Sequence, residues 1–319
     1  MSVPFYELDF NEKIEYVSLS IYEWSQNLIC IAFKNKIVVG IIKFQEEFED
    51  IEHEVEFEPV EEFYHGQKVN AISWNSNTSL LKIPKTIEIC VASSDNSLRV
   101  FSSDVSTRHH SRKEIQGHMD YINDCAFDLE GDYLASVSDD LTCKLWSVNH
   151  QFQLLKTFSL SSPGMCLTWR HEDPGKLLVG EKAGIIRLYN VLTLTPLSCI
   201  MSGIVPLTGI SMSCQSKVIV ILASGELIAT DFNVALQTTD SKVVHPGGGY
   251  KIQCSPSNEN YVATVGRPGN TLKITNIKSK QTLVTANLEV FAGFSWHNRL
   301  PCLCVGNNSK LSIFKILPK

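Results

Sequence analysis

The stretch Gly117–Trp146, GHMDYINDCAFDLEGDYLASVSDDLTCKLW, decides how this chain folds. Its apolar residues alternate with small or polar ones, the period-two mark of β-strands with two different faces. Four residue types punctuate the alternation. His118 lies in the loop entering a sheet, a serine (Ser136 or Ser138) in the second strand, Asp140 in the tight turn after it, and Trp146 on the third strand. Joined as Trp to Ser to His to Asp, they form a hydrogen-bonded chain that pins three strands in register and satisfies its own polar groups. A single unit of this kind cannot bury both of its faces, so it requires neighbours.

The unit resembles a complete WD repeat, and a search for its companions finds a regular beat. Seven segments end a small/apolar alternation in a large or apolar residue. VSLSIY ends at Tyr22, VNAISW at Trp74, INDCAF at Phe127 and GMCLTW at Trp169. LTGISM ends at Met212, GYKIQC at Cys254 and FAGFSW at Trp296. The spacings of 52, 53, 42, 43, 42 and 42 residues match the blade period of a propeller, roughly 40–45 residues. The two long spacings contain insertions, the acidic run from Gln45 to Phe63 and the polar stretch from Asn75 to Lys85. Both read as loops or extended edges rather than extra domains.

After Trp296, CLCV and LSIFKI supply only two more strands, whereas Val3–Phe10 supplies a spare one at the start. Pairing the segment near Pro4–Asp9 beside Leu311–Ile316 completes the last blade and closes the ring. The expectation is therefore an all-β, seven-bladed WD-repeat propeller over residues 1–319, a single domain, although length alone favours about two.

The blades are unequal copies. Blade two offers a partial set, His65 with Asp95 six residues before Phe101. In blade four Tyr189 replaces the tryptophan and Ala183 the turn aspartate, and blade seven has Asn308 six residues before Phe314. Blades five and six show no recognisable set; Ser224-Gly225 and Pro268-Gly269 supply their turns.

The chain is 44% hydrophobic, enough for a sizeable core, and no apolar run reaches the roughly 18 residues of a membrane span. The N-terminus lacks a basic region ahead of an apolar one, so no signal peptide is expected. Most of the ten cysteines, such as Cys90, Cys125, Cys143, Cys166 and Cys254, alternate into strands as small hydrophobes of a reducing compartment. Of the net charge of −6, the acidic share is concentrated. Glu46, Glu47, Glu49, Asp50, Glu52, Glu54, Glu56, Glu58, Glu61 and Glu62 occupy one stretch without Lys or Arg. Its alternation predicts an outermost strand with one wet face. Two roles stay open for it, a guard against edge pairing or a docking strip for a basic partner surface. No basic run and no aromatic cluster among Lys and Arg points to nucleic acid.

Nothing argues for catalysis, a metal or a cofactor. His109-His110 near Asp104 read as a loop between blade-two strands, and Cys302-x-Cys304 lacks a second ligand pair. His118, Ser136 and Asp140 carry repeat spacing and no nucleophile elbow. Gly247-Gly248-Gly249 reads as a flexible loop between blades, and His171-Glu172-Asp173-Pro174-Gly175 as a turn before a strand.

The chain also resembles, over nearly its full length, the small WD-repeat nucleoporins of the Y-shaped outer-ring complex of the nuclear pore. The likeness is carried by Phe44-Gln-Glu-Glu47, Phe63-Tyr-His-Gly66, Trp74, Ser136–Cys143 through Trp146, Ser162-Pro-Gly-Met165 with Trp169, Glu181–Tyr189 and Ser295-Trp-His297. It weakens in blades five and six. The resemblance implies a non-enzymatic scaffold in the nucleus at the nuclear envelope, supporting pore assembly and nucleocytoplasmic transport of protein and mRNA. It implies outer-ring nucleoporins as partners, above all the largest propeller-plus-helical subunit, with the chain a monomer within a hetero-oligomer and kinetochores a mitotic site in animals. A rigid ring would act by presenting loop faces, burying about 800 Å² per side. The alternative class is a substrate adaptor of a ubiquitin ligase or a chromatin-peptide reader. The Trp-Asp-x-Arg of common ligase adaptors is absent, since Ser147-Val148-Asn149 follow Trp146 and Asn190-Val191-Leu192 follow Tyr189.

Overall fold

The computed structural model describes residues 2–49, 51–170, 173–213, 218–231 and 241–316. These residues form seven four-stranded antiparallel sheets arranged as a β-propeller. Blade one comprises Tyr16–Leu19, Leu28–Ala32, Lys36–Phe44 and Val55–Tyr64. Blade two comprises Val69–Trp74, Thr86–Ser93, Leu98–Asp104 and His109–Ile115, and blade three Ile122–Phe127, Tyr133–Ser138, Thr142–Ser147 and Gln153–Ser159. Blade four runs from Gly164–Trp169 to Thr195–Met201, blade five from Leu207–Met212 to Ser241–Val243 and blade six from Gly249–Cys254 to Thr282–Asn287. Blade seven takes Phe291–Trp296, Cys302–Asn307 and Lys310–Lys315 from the end of the chain and Tyr6–Asp9 from its beginning.

That last pairing closes the ring. Tyr6 faces Ile313, Leu8 faces Leu311 and Asp9 faces Lys310 in antiparallel register. The Phe5 amide extends the ladder to the Ile313 carbonyl at 2.7 Å, and Ser2 reaches the Thr285 carbonyl in blade six at 2.7 Å.

The core lies between neighbouring sheets, which explains why strands read apolar on both faces. Ala135, Val137 and Leu145 of blade three, for example, pack on Leu167, Trp169, Leu177 and Val179 of blade four. Tryptophans at the ends of three first strands, Trp74, Trp169 and Trp296, tie their sheets to the one before. Trp169 Nε1 donates to the Ala126 carbonyl at 3.1 Å, and Trp296 Nε1 to the Gln253 carbonyl at 3.0 Å. The first strands together line a central cavity of about 520 Å³.

Six of the seven sequence beats end where a first strand ends; the first does not. Blade one's first strand stops at Leu19, and Tyr22 lies in the following loop. Its ring packs into the blade-one/blade-two core, with the hydroxyl 3.4 and 3.3 Å from the carbonyls of Trp74 and Asp128. The aromatic signal came from a loop residue doing the packing of a strand residue. The first insertion lengthens the third and outer strands of blade one and the hairpin between them, whereas the second is a loop closed by bridging of Ser79 with Thr86. Two further expectations change. His109 and His110 begin the outer strand of blade two rather than sit in a loop, and Gly249 begins the first strand of blade six.

Candidate functional site

Blade three brings its four marked residues into one chain. Trp146 Nε1 donates to Ser136 Oγ at 3.0 Å, and Ser136 Oγ lies 2.8 Å from His118 Nε2. His118 Nδ1 lies 2.8 Å from Asp140 Oδ2. The indole has only a donor, so the serine hydroxyl must donate onward to Nε2, and the histidine proton then sits on Nδ1 facing the carboxylate. Of the two serines left open by the alternation, Ser138 instead donates to the Asp120 carbonyl at 3.0 Å. Asp140 also receives the amides of Met119 and Thr142, each at 3.0 Å. Burial would raise its pKa, but the hydrogen bonds from Thr142, the Met119 amide and His118 outweigh that and lower it. Burial lowers the pKa of His118, against the pull of Asp140. Gly117 is dictated by close approach, since a Cβ there would stand 2.7 Å from Cη2 of Trp146. Ser136 is fully buried and both of its neighbours are committed, so the hydroxyl has no route to a substrate.

Blade two assembles differently. His65 Nε2 lies 3.4 Å from Ser93 Oγ, while Asp95 turns to Ser97 Oγ at 2.7 Å and to the Arg99 guanidinium. Register supplies the reason. Val91 faces Arg99 as Ser136 faces Lys144, so a valine occupies the bridging serine's place. Phe101 has no N–H to offer and meets the His65 ring edge-on at 5.8 Å. In blade four, buried Glu181 fills the role of the missing aspartate. It accepts the amides of Ser161 and Ser162 at 2.8 Å and pairs with Arg187.

Blade six retains more than its sequence announced. His245 Nε2 lies 2.9 Å from Thr264 Oγ1, both buried. The missed signal was position: His245 precedes Gly249 by the interval that separates His118 from Ile122.

The acidic run forms the outer strand of blade one and the hairpin before it, and much of it is engaged. Glu58 pairs with Lys43 at 2.8 Å, Glu62 with Lys36 at 3.7 Å, and Glu61 meets His110 of blade two at 2.8 Å. Glu56 accepts the backbone amides of Glu52 and His53. Glu46 pairs with Lys315. The side chain of Glu47 is buried and joins blades one and seven, accepting from Asn27 Nδ2 at 2.8 Å and Arg299 at 2.6 Å. His297 Nε2 meets Asn27 Oδ1 at 2.7 Å in the same cluster. Glu49, Glu52 and Glu54 are exposed, and Asp50 lies outside the described residues, as do His171 and Glu172.

The described residues contain no cluster of metal-ligating side chains, and no disulfide joins their cysteines, which are all buried except Cys199. In the channel, Asp124 accepts the Leu167 amide at 3.0 Å, and burial raises its pKa to about 6. Lys251 stands over the Tyr16 ring and donates to its hydroxyl.

These buried groups set a pH dependence. Burial, joined by nearby positive charge, holds His65, His245 and His297 down at about 4 against an ordinary 6.5. The unfolded chain binds those protons first, so their contribution is complete above about pH 6.5 and is lost as pH falls toward 4. Asp124 and Asp128, raised by burial to about 6, act oppositely between pH 6 and 3.8. The denaturant midpoint is therefore expected to fall as pH drops from 7 toward 4, the three histidines outweighing the two aspartates below pH 6. In a His245→Asn variant the drop should be shallower; an unchanged slope in that variant would reject the buried-histidine account.

Comparison with known proteins adds to this geometry. A family model described as WD domain, G-beta repeat, matches residues 57–102 and 110–147. The chain is 33% identical to Nucleoporin Nup37 of Mus musculus over 313 residues, covering 96% of this chain and 95% of that protein. It is 32% identical to Nucleoporin Nup37 of Homo sapiens over the same shares, and 31% identical to Nucleoporin Nup37 of Drosophila melanogaster over 99% of this chain and 98% of that one.

Proposed function

The chain belongs to the Nup37 family of nucleoporins, and from that premise we propose that it is a non-enzymatic scaffold subunit of the outer-ring (Y) complex of the nuclear pore. In this reading the whole chain, residues 1–319, is one propeller domain at the nuclear envelope. It docks as a monomer on the largest propeller-plus-helical subunit and supports pore assembly and transport of protein and mRNA. The observation that carries the reading is likeness to three proteins named Nup37, at 31–33% identity along almost the entire chain. The physical side agrees with it: a ring whose marked Ser, His and Asp are consumed in holding strands together offers surfaces rather than chemistry.

The acidic strand of blade one is proposed to act chiefly as an edge guard. Its carboxylates meet lysines of the neighbouring strand, and Pro59 removes a donor from the ladder. Reversing the charges of Glu52, Glu54 and Glu58 should leave partner recovery within about twofold and promote self-association. A slower, salt-insensitive association with the partner would return the strand to a docking role.

The reading is tested by tagging the protein at its own locus. A nuclear rim signal and co-purification of outer-ring nucleoporins are expected. Diffuse signal with no outer-ring nucleoporins recovered, or recovery of a ubiquitin-ligase scaffold or histones instead, would overturn it.

A further inference from the structure

The insertion in blade two carries an apolar tip whose root the fold ties down and which it leaves uncovered. Its root is fixed from several sides. Trp24 Nε1 lies 3.2 and 3.0 Å from the carbonyls of Ser76 and Thr78, and Ser76 Oγ donates to the Glu130 carbonyl of blade three at 2.7 Å. Ser79 and Thr86 exchange backbone hydrogen bonds at 2.8 and 3.0 Å, and Thr86 Oγ1 donates to the Asn77 carbonyl at 2.6 Å. Leu80 turns inward onto the core shared by blades one and two. The next residues turn outward: Leu81 is 78% exposed and Ile83 91%.

Two large side chains this exposed, on one short and braced tip, contribute nothing to the ring's own packing. Because the root of the tip is already tied down, burying the tip against a partner orders a shorter stretch than a free loop would require. Lys82 lies between the two apolar residues and Lys85 follows them; both are exposed, and neither forms an ion pair among the described residues. Four acids of blade one, Glu46, Glu47, Glu58 and Glu62, are in contrast matched by Lys315, Arg299, Lys43 and Lys36. The tip itself carries two lysines and no acid, so its own charge is positive and sits beside an apolar point.

We propose that the tip Leu81–Lys85 is the anchor of the docking contact, entering an apolar pocket rimmed by carboxylates on the large outer-ring subunit. This rests on the scaffold reading above. Leu81 and Ile83 fill the pocket, and Lys82 and Lys85 set orientation by meeting its rim. A second copy of the chain is the poorer occupant. A tip entering a different part of another copy makes a head-to-tail contact that does not close, and it would lead to filaments rather than a defined complex.

Full-length tagged protein, wild type and Leu81→Asp/Ile83→Asp, is used to recover outer-ring nucleoporins from cell extract, quantified by mass spectrometry, with unfolding midpoints measured for both. Recovery is expected to fall at least tenfold at an unchanged midpoint. A Lys82→Glu/Lys85→Glu variant is expected to lose less, and its deficit should vanish at high salt. Equal recovery by wild type and Leu81→Asp/Ile83→Asp overturns the anchor while leaving the scaffold reading intact. No recovery by the wild type overturns both. Concentration-dependent self-association of the wild type that the double variant abolishes assigns the tip to a second copy and overturns the proposal.

Discussion

A chain lacking residues 2–10 is expected to lose most of its folding stability and to elute as aggregate. The deletion removes the outer strand of blade seven and leaves Lys310–Lys315 as an open edge. It also removes Tyr6, Leu8 and Phe10 from the core cluster shared by blades one and seven. Phe10 meets the Phe57 ring edge-on at 5.1 Å, so its loss also loosens blade one's outer strand. The bonds from Glu7 to Lys310 and Ser312, at 3.1 and 3.0 Å, go as well. Partial burial of three large side chains plus the ladder bonds amounts to on the order of 5 kcal/mol. That is comparable with the whole stability of many domains. Size-exclusion chromatography and a denaturant titration read the effect directly. A monomeric deletion variant with the wild-type midpoint would show that ring closure contributes little.

The second large effect is expected inside blade three. Ser136→Ala removes the link between two buried partners and leaves the Trp146 N–H and His118 Nε2 without hydrogen bonds. Asp140→Ala removes the carboxylate that accepts the His118 proton and the part-buried Thr142 amide. Each should cost about 1–3 kcal/mol. The double variant should cost clearly less than the sum, because either change alone already breaks the chain. Strict additivity in denaturant midpoints would show that the four residues do not act as a unit. Asp95→Ala in blade two is a different experiment. It strips the buried Arg99 guanidinium of its main partner, so its cost reports an ion pair and not a histidine chain.

The fold was legible because a blade repeats, and repetition averages over local noise. Trp74, Phe127, Trp169 and Trp296 end strands for one physical reason, the need to fill the gap between sheets near the channel, so a single pattern found them all. Tyr22 broke the pattern because a loop residue reached the same gap from outside the strand. The closing strand was legible by subtraction, since three strands at one end of the chain and one at the other make a blade. Interactions built from unlike residues were less visible. Glu181 substitutes for an aspartate two residues downstream of it by using an arginine and two loop amides, and no motif describes that exchange. The acidic run reads as one strip in the sequence, yet the Glu47 side chain is a buried joint between two blades and Glu52 an exposed residue of the hairpin. Alternation assigns residues to faces; it is silent on which basic residue of a distant blade arrives opposite. Leu81 and Ile83 escaped the sequence reading because their exposure depends on where the rest of the insertion is tied down.

The shared sheet of blade seven also orders events in time. Glu7 and Lys310 lie 303 positions apart yet bond to each other. Tyr6–Asp9 therefore leaves the ribosome among the first residues of this domain and can find its partner strand only among the last. Throughout synthesis the nascent chain carries an unpaired strand at one end and a growing, open sheet edge at the other. Such long-range pairing is slow to form and exposed to aggregation until it does. Ring closure is then a single late step that every molecule must pass. A ribosome pausing in the last two strands would extend the vulnerable interval more than an equal pause in blades two to five.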